Sequence, residues 1–491
     1  MKQQQKNLLI KFLIIALFVA GVLLKLYYIS YTEVWERQHD VIGFGATEGH
    51  AAYIEYILNN GKIPDFDPRS VWAFFQPPLH HIICATVLRV CGVIGVNERA
   101  SQEFLQFVTT LYMVVVMILS VLILSRLVVK DEDDCGCKKH GLFLQRFLMD
   151  PSSSLGIYVA LCVIAVHPIF TIMSGSINND ALSLVLAVAS IYLALKWYEK
   201  TTMARIIPIA IAIGLSMMAK LTGGLVAVPI GTLMLLKFYY VFKSFRGEIK
   251  GIDDDVKGYI NPFKRPADLP SLGDLIFQFI AFGIIVFPLG LYWTIRNKIK
   301  FDMPANYIPP VGEQLGENMT LAKRLFDLRL NNPFPIIEGN NGDYSEFNVF
   351  ISLIKTSLFG EWDFSTYSGK LTIIAWGLLV TAVAVIILCL IATFYMTFSK
   401  KSKLSHEGRI VLFLTWFTYF VAYLAFALSY NNFSAEDFRY GAICIVSEGI
   451  FLGLFSENIS SKALKNIIFI LSTLFAFFAF TMYVCIGIKA K

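Results

Sequence analysis

Charge is what this chain has least of: Asp, Glu, Lys and Arg together make up only 16% of its 491 residues, against 56% hydrophobic. Soluble domains carry about 25% charged residues, so a water-soluble globule is excluded and the chain belongs in lipid. Nor does either sign dominate. A formal net charge of +6 suits the cytoplasmic Lys and Arg of a membrane protein better than nucleic-acid binding, and no nucleic-acid partner is expected. A disulfide framework is missing as well. Cys84, Cys91, Cys162, Cys389, Cys444 and Cys485 lie in apolar stretches, where Cys behaves as a small hydrophobe. Cys135 and Cys137 form a "CGC" in a polar loop with only His140 nearby, which reads as a solvated, reduced loop. No small-residue cleavage signal follows the first apolar run, "NLLIKFLIIALFVAGVLLKLYYISY". At about 20 apolar residues it is long for a signal peptide, so a retained signal-anchor helix with a cytoplasmic N-terminus is expected.

What the chain has in plenty is apolar runs long enough to span. They lie near 8–29, 103–128, 155–173, 181–197, 205–219, 222–241, 272–294, 371–397, 409–429, 440–456 and 466–487. The expected fold is therefore an all-α integral membrane protein with about 11–13 transmembrane helices. A further run, 80–96, carries His80, His81 and Arg89 and is marginal in length. If it crosses, the loop "KDEDDCGCKKHGLFLQR" falls outside. If it lies in the interface, that loop becomes cytoplasmic together with those holding Lys196, Lys200 and Arg205; Lys243, Arg246 and Lys250; Lys400, Lys401, Lys403 and Arg409; and Lys462 and Lys465. The second arrangement obeys the positive-inside rule almost throughout, so 80–96 is expected to be interfacial or re-entrant.

The outer face then receives residues 30–79, the turn 174–180, Lys220, the segment 295–370 and the turn 430–440. The first of these is unusual. "VWERQHDVIGFGATEGHAAYIEYI" places Arg37, His39, Asp40, Glu48 and His50 just where the first helix ends, and "FFQPPLHH" follows. Residues 46–59 read as a short amphipathic helix with Ala51, Tyr53, Ile54, Ile57 and Leu58 on its apolar side, closed by "NNGKIP". The paired prolines favour an extended return to the membrane. Ionisable groups at the bilayer edge are costly and mark functional sites. Carboxylates opposite the cations Lys220, in "MMAKLTGG", and Arg439, in "AEDFRYG", suit transfer between a lipid-borne phosphate ester and a water-borne hydroxyl. Asp180, in "SINNDALSL", also reads as the N-cap of the next helix.

These stretches, with "HPIFTIMSGSINNDALSLVLAVASIYLAL" and "GLSMMAKLTGGLVAVPIGTLML", resemble the GT-C glycosyltransferases. The similarity is to their protein O-mannosyltransferase and aminoarabinose-transferase branch, families 39 and 83, over roughly residues 8–240. The resemblance implies a GT-C bundle with interfacial helices in the first outer loop, and sugar transfer from a polyprenyl-phosphate donor to a protein, lipid or glycan hydroxyl. By position it implies an acidic base at Asp40, an "xPPL" element at Gln76 to Leu79, a second acid at Asp180, and phosphate contacts from Lys220 and the later Arg439. The family usually has Asp-Glu where this chain has His-Asp, and Glu48 lies nearer the spacing some members use, so the base is Asp40 or Glu48. His39, His50, Gln76 and His80 join the candidate substrate contacts.

Four histidines near carboxylates invite a divalent metal, but none has i, i+4 ligand spacing on a firm helix, and no cofactor is expected. The domain reading is a catalytic module over 1–294 including the first outer loop, an outer loop or lid over 295–370, and C-terminal helices over 371–491. "SLIKTSLFGEWDFS" reads as an interfacial helix or part of that lid. The rival readings are a transporter or flippase of a lipid-linked or anionic solute, and an inactive relative acting as a scaffold. The one-sided gathering of charge and the unmatched loop sizes of the two halves speak against a transporter. A multi-pass location with the site outside is expected, in a bacterial plasma membrane or, for a eukaryote, the endoplasmic reticulum.

Overall fold

A computed structural model of the chain describes residues 3–36, 41–127, 154–247, 269–310, 320–335, 348–362, 364, 369–430 and 433–490. Residues 37–40, with His39 and Asp40, and the Cys135–Cys137 loop lie outside them. All the regular structure among the described residues is helical. In chain order the helices are α1 (Gln3–Tyr31), α2 (Gly49–Asn60), α3 (Leu79–Val93), α4 (Glu98–Leu127), α5 (Ser154–Ile164), α6 (Pro168–Gly175), α7 (Asp180–Glu199) and α8 (Met203–Ala219). They continue with α9 (Ala227–Phe245), α10 (Leu272–Phe301), α11 (Leu321–Phe326), α12 (Val349–Phe359), α13 (Gly369–Phe398), α14 (His406–Ser429), α15 (Ile443–Asn458) and α16 (Lys462–Ala490).

Among the described residues eight helices are long and apolar enough to cross a membrane, or ten if two bent pairs each count as one span. That is fewer than the sequence suggests, although each of its eleven apolar runs is helical. The difference lies in α8, whose 17 residues reach only about 26 Å at 1.5 Å per residue, short of a hydrocarbon core of about 30 Å. Large apolar side chains such as Ile284, Phe287 and Ile373 point outward, 68%, 63% and 72% exposed. On a soluble protein so apolar a surface would aggregate; here it is the lipid face.

The run expected as one span at 155–173 is broken. α5 and α6 meet at 53°, because Pro168 cannot donate within a continuing helix. The break frees carbonyls, and Lys25 of α1, fully buried, donates to the Ala165 oxygen at 2.7 Å. In lipid such a group has no water to turn to. Close packing holds α5 against α15: a Cβ on Gly453 would lie 2.5 Å from the Gly156 carbonyl oxygen. Small residues let helix backbones approach where lipid offers no hydrophobic gain.

α3 does not carry the chain across. Arg99, at the start of α4, pairs with Glu33, just past the end of α1, at 2.9 Å, and Gln106 of α4 donates to the Thr32 carbonyl at 3.0 Å. The chain therefore re-enters the bundle at the end where it left it, as parity of charge requires. α2 is amphipathic as expected, burying Ala51, Tyr53, Ile54 and Ile57. Gly61 ends it with φ +66°, a left-handed conformation that suits glycine. α12 is held inside the fold, with Lys355 buried and donating to the Phe334 carbonyl at 2.9 Å.

Candidate active site

Four chain segments meet at the end of the bundle reached by α1, α6, α8 and α14. The turn Ser176 to Asn179 leads into α7. Lys220 closes α8 and opens a 3-10 turn, Leu221–Val226. A second such turn, Phe438–Gly441, precedes α15. Below α2, the "QPPLHH" stretch starts α3.

Asp180 is the hub. The sequence suggests that it caps α7, but the cap is Asn179 and Asp180 is the first helical residue. Its carboxylate is thereby released for other partners: Lys220 Nζ at 2.5 Å and Arg439 Nε at 3.6 Å. Tyr440 binds the two cations together. Lys220 Nζ lies 4.4 Å from its ring centre, within cation–π range, and Arg439 Nη2 donates to its hydroxyl at 2.8 Å. Asp437 fixes the turn by accepting the Arg439 backbone N–H at 2.8 Å. Two cations thus converge on one carboxylate in a largely buried setting.

Glycine gives the Lys220 turn its shape. A Cβ on Gly223 would meet the Ser216 hydroxyl and lie 2.6 Å from Ser183 Oγ, so α7, α8 and the turn close together only without a side chain there. Asn179 ties the segments further, donating to the Ala219 carbonyl at 2.8 Å and to Gln76 Oε1 at 3.3 Å. Gln76 of the "xPPL" element is thus one residue from the acid and one from the lysine through a single side chain.

The histidines line the flank. His80 Nε2 donates to the Ile177 carbonyl at 2.7 Å, pinning α3 to the turn before Asp180. His50 Nδ1 and His81 Nε2 are 2.8 Å apart and share one hydrogen bond, and Tyr53 stacks on His81 at 4.1 Å. Burial, then His80 and Lys220, push His50 down to about 3, and burial takes His80 to about 4. Both rings are neutral at pH 7 and add no charge beside the cations. Among the described residues no three His, Cys, Asp or Glu side chains converge as metal ligands.

The structure therefore brings Asp180, Lys220, Arg439, Gln76, His80 and His50 to one place from five separate parts of the chain. Glu48 is exposed at the N-cap of α2 and, among the described residues, pairs with none of them. Two neighbours are not evident from sequence, Asn179 and Tyr440; each adjoins a candidate in the chain, Asp180 and Arg439, and that adjacency is the only signal. His81, weighed in sequence only as a metal ligand, joins the site through His50.

No family model and no curated protein matches the chain. Among solved structures it is similar to ArnT from Cupriavidus metallidurans bound to undecaprenyl phosphate, with a TM-score of 0.50 at 11% identity, covering 97% of this chain and 77% of that one. The apo state of that protein gives 0.47 at 12% identity over 92% of this chain. The Archaeoglobus fulgidus oligosaccharyltransferase, tethered to an acceptor peptide containing the NVT sequon, gives 0.48 at 12% over 97%. The chain spans 61% of the length of the apo ArnT chain and 55% of the archaeal one. At such identity the likeness is one of fold alone: an all-helical membrane bundle.

Proposed function

We propose that the protein is a membrane glycosyltransferase that moves a sugar from a polyprenyl-phosphate donor to an acceptor hydroxyl at the outer or luminal face. The observation that carries this reading is the convergence of Lys220 and Arg439 on Asp180 beside Tyr440. A pair of cations converging at a helix-bundle end suits a phosphate ester whose lipid tail lies along the apolar flank. The fold shared with an ArnT structure that holds undecaprenyl phosphate supports the same class of donor.

In this reading a carboxylate of the first outer loop, Asp40 by the family pattern or Glu48, takes the acceptor hydroxyl proton. The acceptor oxygen attacks the anomeric carbon from the face opposite the phosphate, and the bond from that carbon to the phosphate oxygen breaks with inversion. The bonding pair leaves on the phosphate, where Lys220 and Arg439 hold the charge. Asp180 keeps both cations in register until the phosphate competes for them. His50, His80 and Gln76 present neutral hydrogen-bonding groups to the sugar. The site would face the periplasm or outside of a bacterial plasma membrane, or the lumen in a eukaryote.

Purified protein in detergent is to be titrated with undecaprenyl phosphate. Lys220→Ala is expected to lose about tenfold or more in affinity, since a hydrogen bond to a charged group contributes about 1.5–3 kcal/mol. Equal affinity in wild type and Lys220→Ala would sink the phosphate assignment.

A further inference from the structure

A concave site lies between the first outer loop and the start of α4, and none of the cation-cluster residues lines it. It is a cleft of about 440 Å³ lined by Trp35, Ile42 to Gly45, Glu55, Glu98 and Gln102, within the usual size of a small-molecule pocket. Trp35 is 42% exposed although the Arg99 guanidinium stacks over one face at 3.6 Å, so its open surface is the other face and the edges. Arg99 itself is paired with Glu33 and Glu103 at 2.9 and 3.0 Å.

The polar groups of the cleft are mostly acceptors. Gln102 is nine-tenths buried, 9% exposed. Its Nε2 donates to Glu98 Oε1 at 3.3 Å, and among the described residues its amide oxygen accepts no hydrogen bond. Glu55 spends one oxygen on the Gly45 backbone N–H at 2.8 Å and keeps the other for a ligand. Among the described residues the lining holds two carboxylates and no cation, which repels a phosphate, so the donor's anionic group is assigned to the cation cluster instead. An aromatic face beside acceptors for several O–H donors fits the ring of a sugar: its C–H face packs on the indole and its hydroxyls donate to Glu55, Glu98 and Gln102. The lining also comes from the chain on both sides of Asp40, from Trp35 before it and from Ile42 to Gly45 after it.

We infer that this cleft is the acceptor subsite and that the acceptor is a glycan, held by Trp35 and Gln102 next to the loop that carries the base. The inference rests on the transferase reading above and names its acceptor class.

The test uses full-length protein in detergent and defined probes: chito-, manno- and malto-oligosaccharides, read by saturation-transfer NMR, with undecaprenyl phosphate titrated separately. At least one oligosaccharide is expected to bind wild type and Trp35→Phe alike. Its affinity should fall about tenfold or more in Trp35→Ala and in Gln102→Leu, with undecaprenyl phosphate binding unchanged in all variants. Equal oligosaccharide affinity in Trp35→Ala and Gln102→Leu overturns the subsite. So does a wild type that binds undecaprenyl phosphate but no oligosaccharide, or one that binds serine-containing peptides at Trp35 instead; in both cases the donor reading stands. Trp35-dependent sugar binding by a protein that ignores undecaprenyl phosphate keeps the cleft and removes the donor reading.

Discussion

Asp180, Lys220 and Arg439 are each ordinary as single residues: a helix-start carboxylate, a loop lysine and an arginine beside a tyrosine. What gave Lys220 away in the sequence is its position, a cation on the outer side of two apolar helices against the charge rule. The pairing itself was not legible, because 40 and 259 residues separate its members and only tertiary packing closes that distance. The His50–His81 contact was not legible for the same reason, since the two sit on different helices. Asp180 pairs with Lys220 and Arg439, and losing one partner of a buried pair costs about 3–5 kcal/mol. Asp180→Asn is therefore expected to melt well below wild type. Undecaprenyl phosphate should raise its melting temperature more than that of wild type; an equal rise would show that the anion does not use these cations. His50 supplies a pH signature. Its folded form titrates near 3 because of burial, His80 and Lys220, whereas an unfolded His titrates near 6.5. Between these values the unfolded chain binds the extra proton, so stability is lost as pH falls through that window. The drop in melting temperature from pH 7 to pH 5 should be smaller in His50→Asn than in wild type, and an identical drop would place the acid sensitivity elsewhere.

At the scale of elements, periodicity and length identified the amphipathic α2 and every long helix, while local breaks escaped them. The dipeptide His167-Pro168 held the signal for the α5–α6 break, yet the surrounding run is apolar throughout and reads as continuous. The reason such a break survives in lipid is Lys25, which satisfies the Ala165 oxygen from another helix. Lys25→Met keeps the bulk and removes the donor, and is expected to destabilise the protein by about 1.5–3 kcal/mol. Chemical or thermal unfolding with unaltered mid-point would refute that role. The turn after Lys220 has a comparable dependence on Gly223, where any side chain meets Ser216 and Ser183. Gly223→Val should cost most of the undecaprenyl phosphate affinity while leaving the helical content by circular dichroism intact, because it moves the lysine without opening the bundle.

For the whole molecule, counting charge made one feature of the chain's path legible. Counting Lys and Arg by loop kept 80–96 from crossing, and the Arg99–Glu33 pair agrees: the ends of α1 and α4 are neighbours. The site's location followed, since each segment assigned to the outer face that bears a cluster residue reaches the same end of the bundle. The helix count was less secure, because a short helix such as α8 and two bent pairs blur what a span is. Cysteine labelling in sealed vesicles tests the arrangement. Lys62→Cys and Lys401→Cys should react from opposite sides of the membrane, and labelling of both from one side would break the parity on which the site's orientation rests.

The central claim is that the Lys220–Asp180–Arg439 cluster serves transfer from a lipid phosphate. Its most direct test is sugar transfer in membranes from a panel of radiolabelled polyprenyl-phosphate sugars, comparing wild type, Lys220→Ala, Asp40→Asn and Glu48→Gln at matched expression. The account predicts transfer from one donor by wild type and its loss in Lys220→Ala and in one of the two carboxylate variants, which identifies the base. Transfer undiminished in Lys220→Ala, or no transfer by wild type from any donor in the panel, would contradict it.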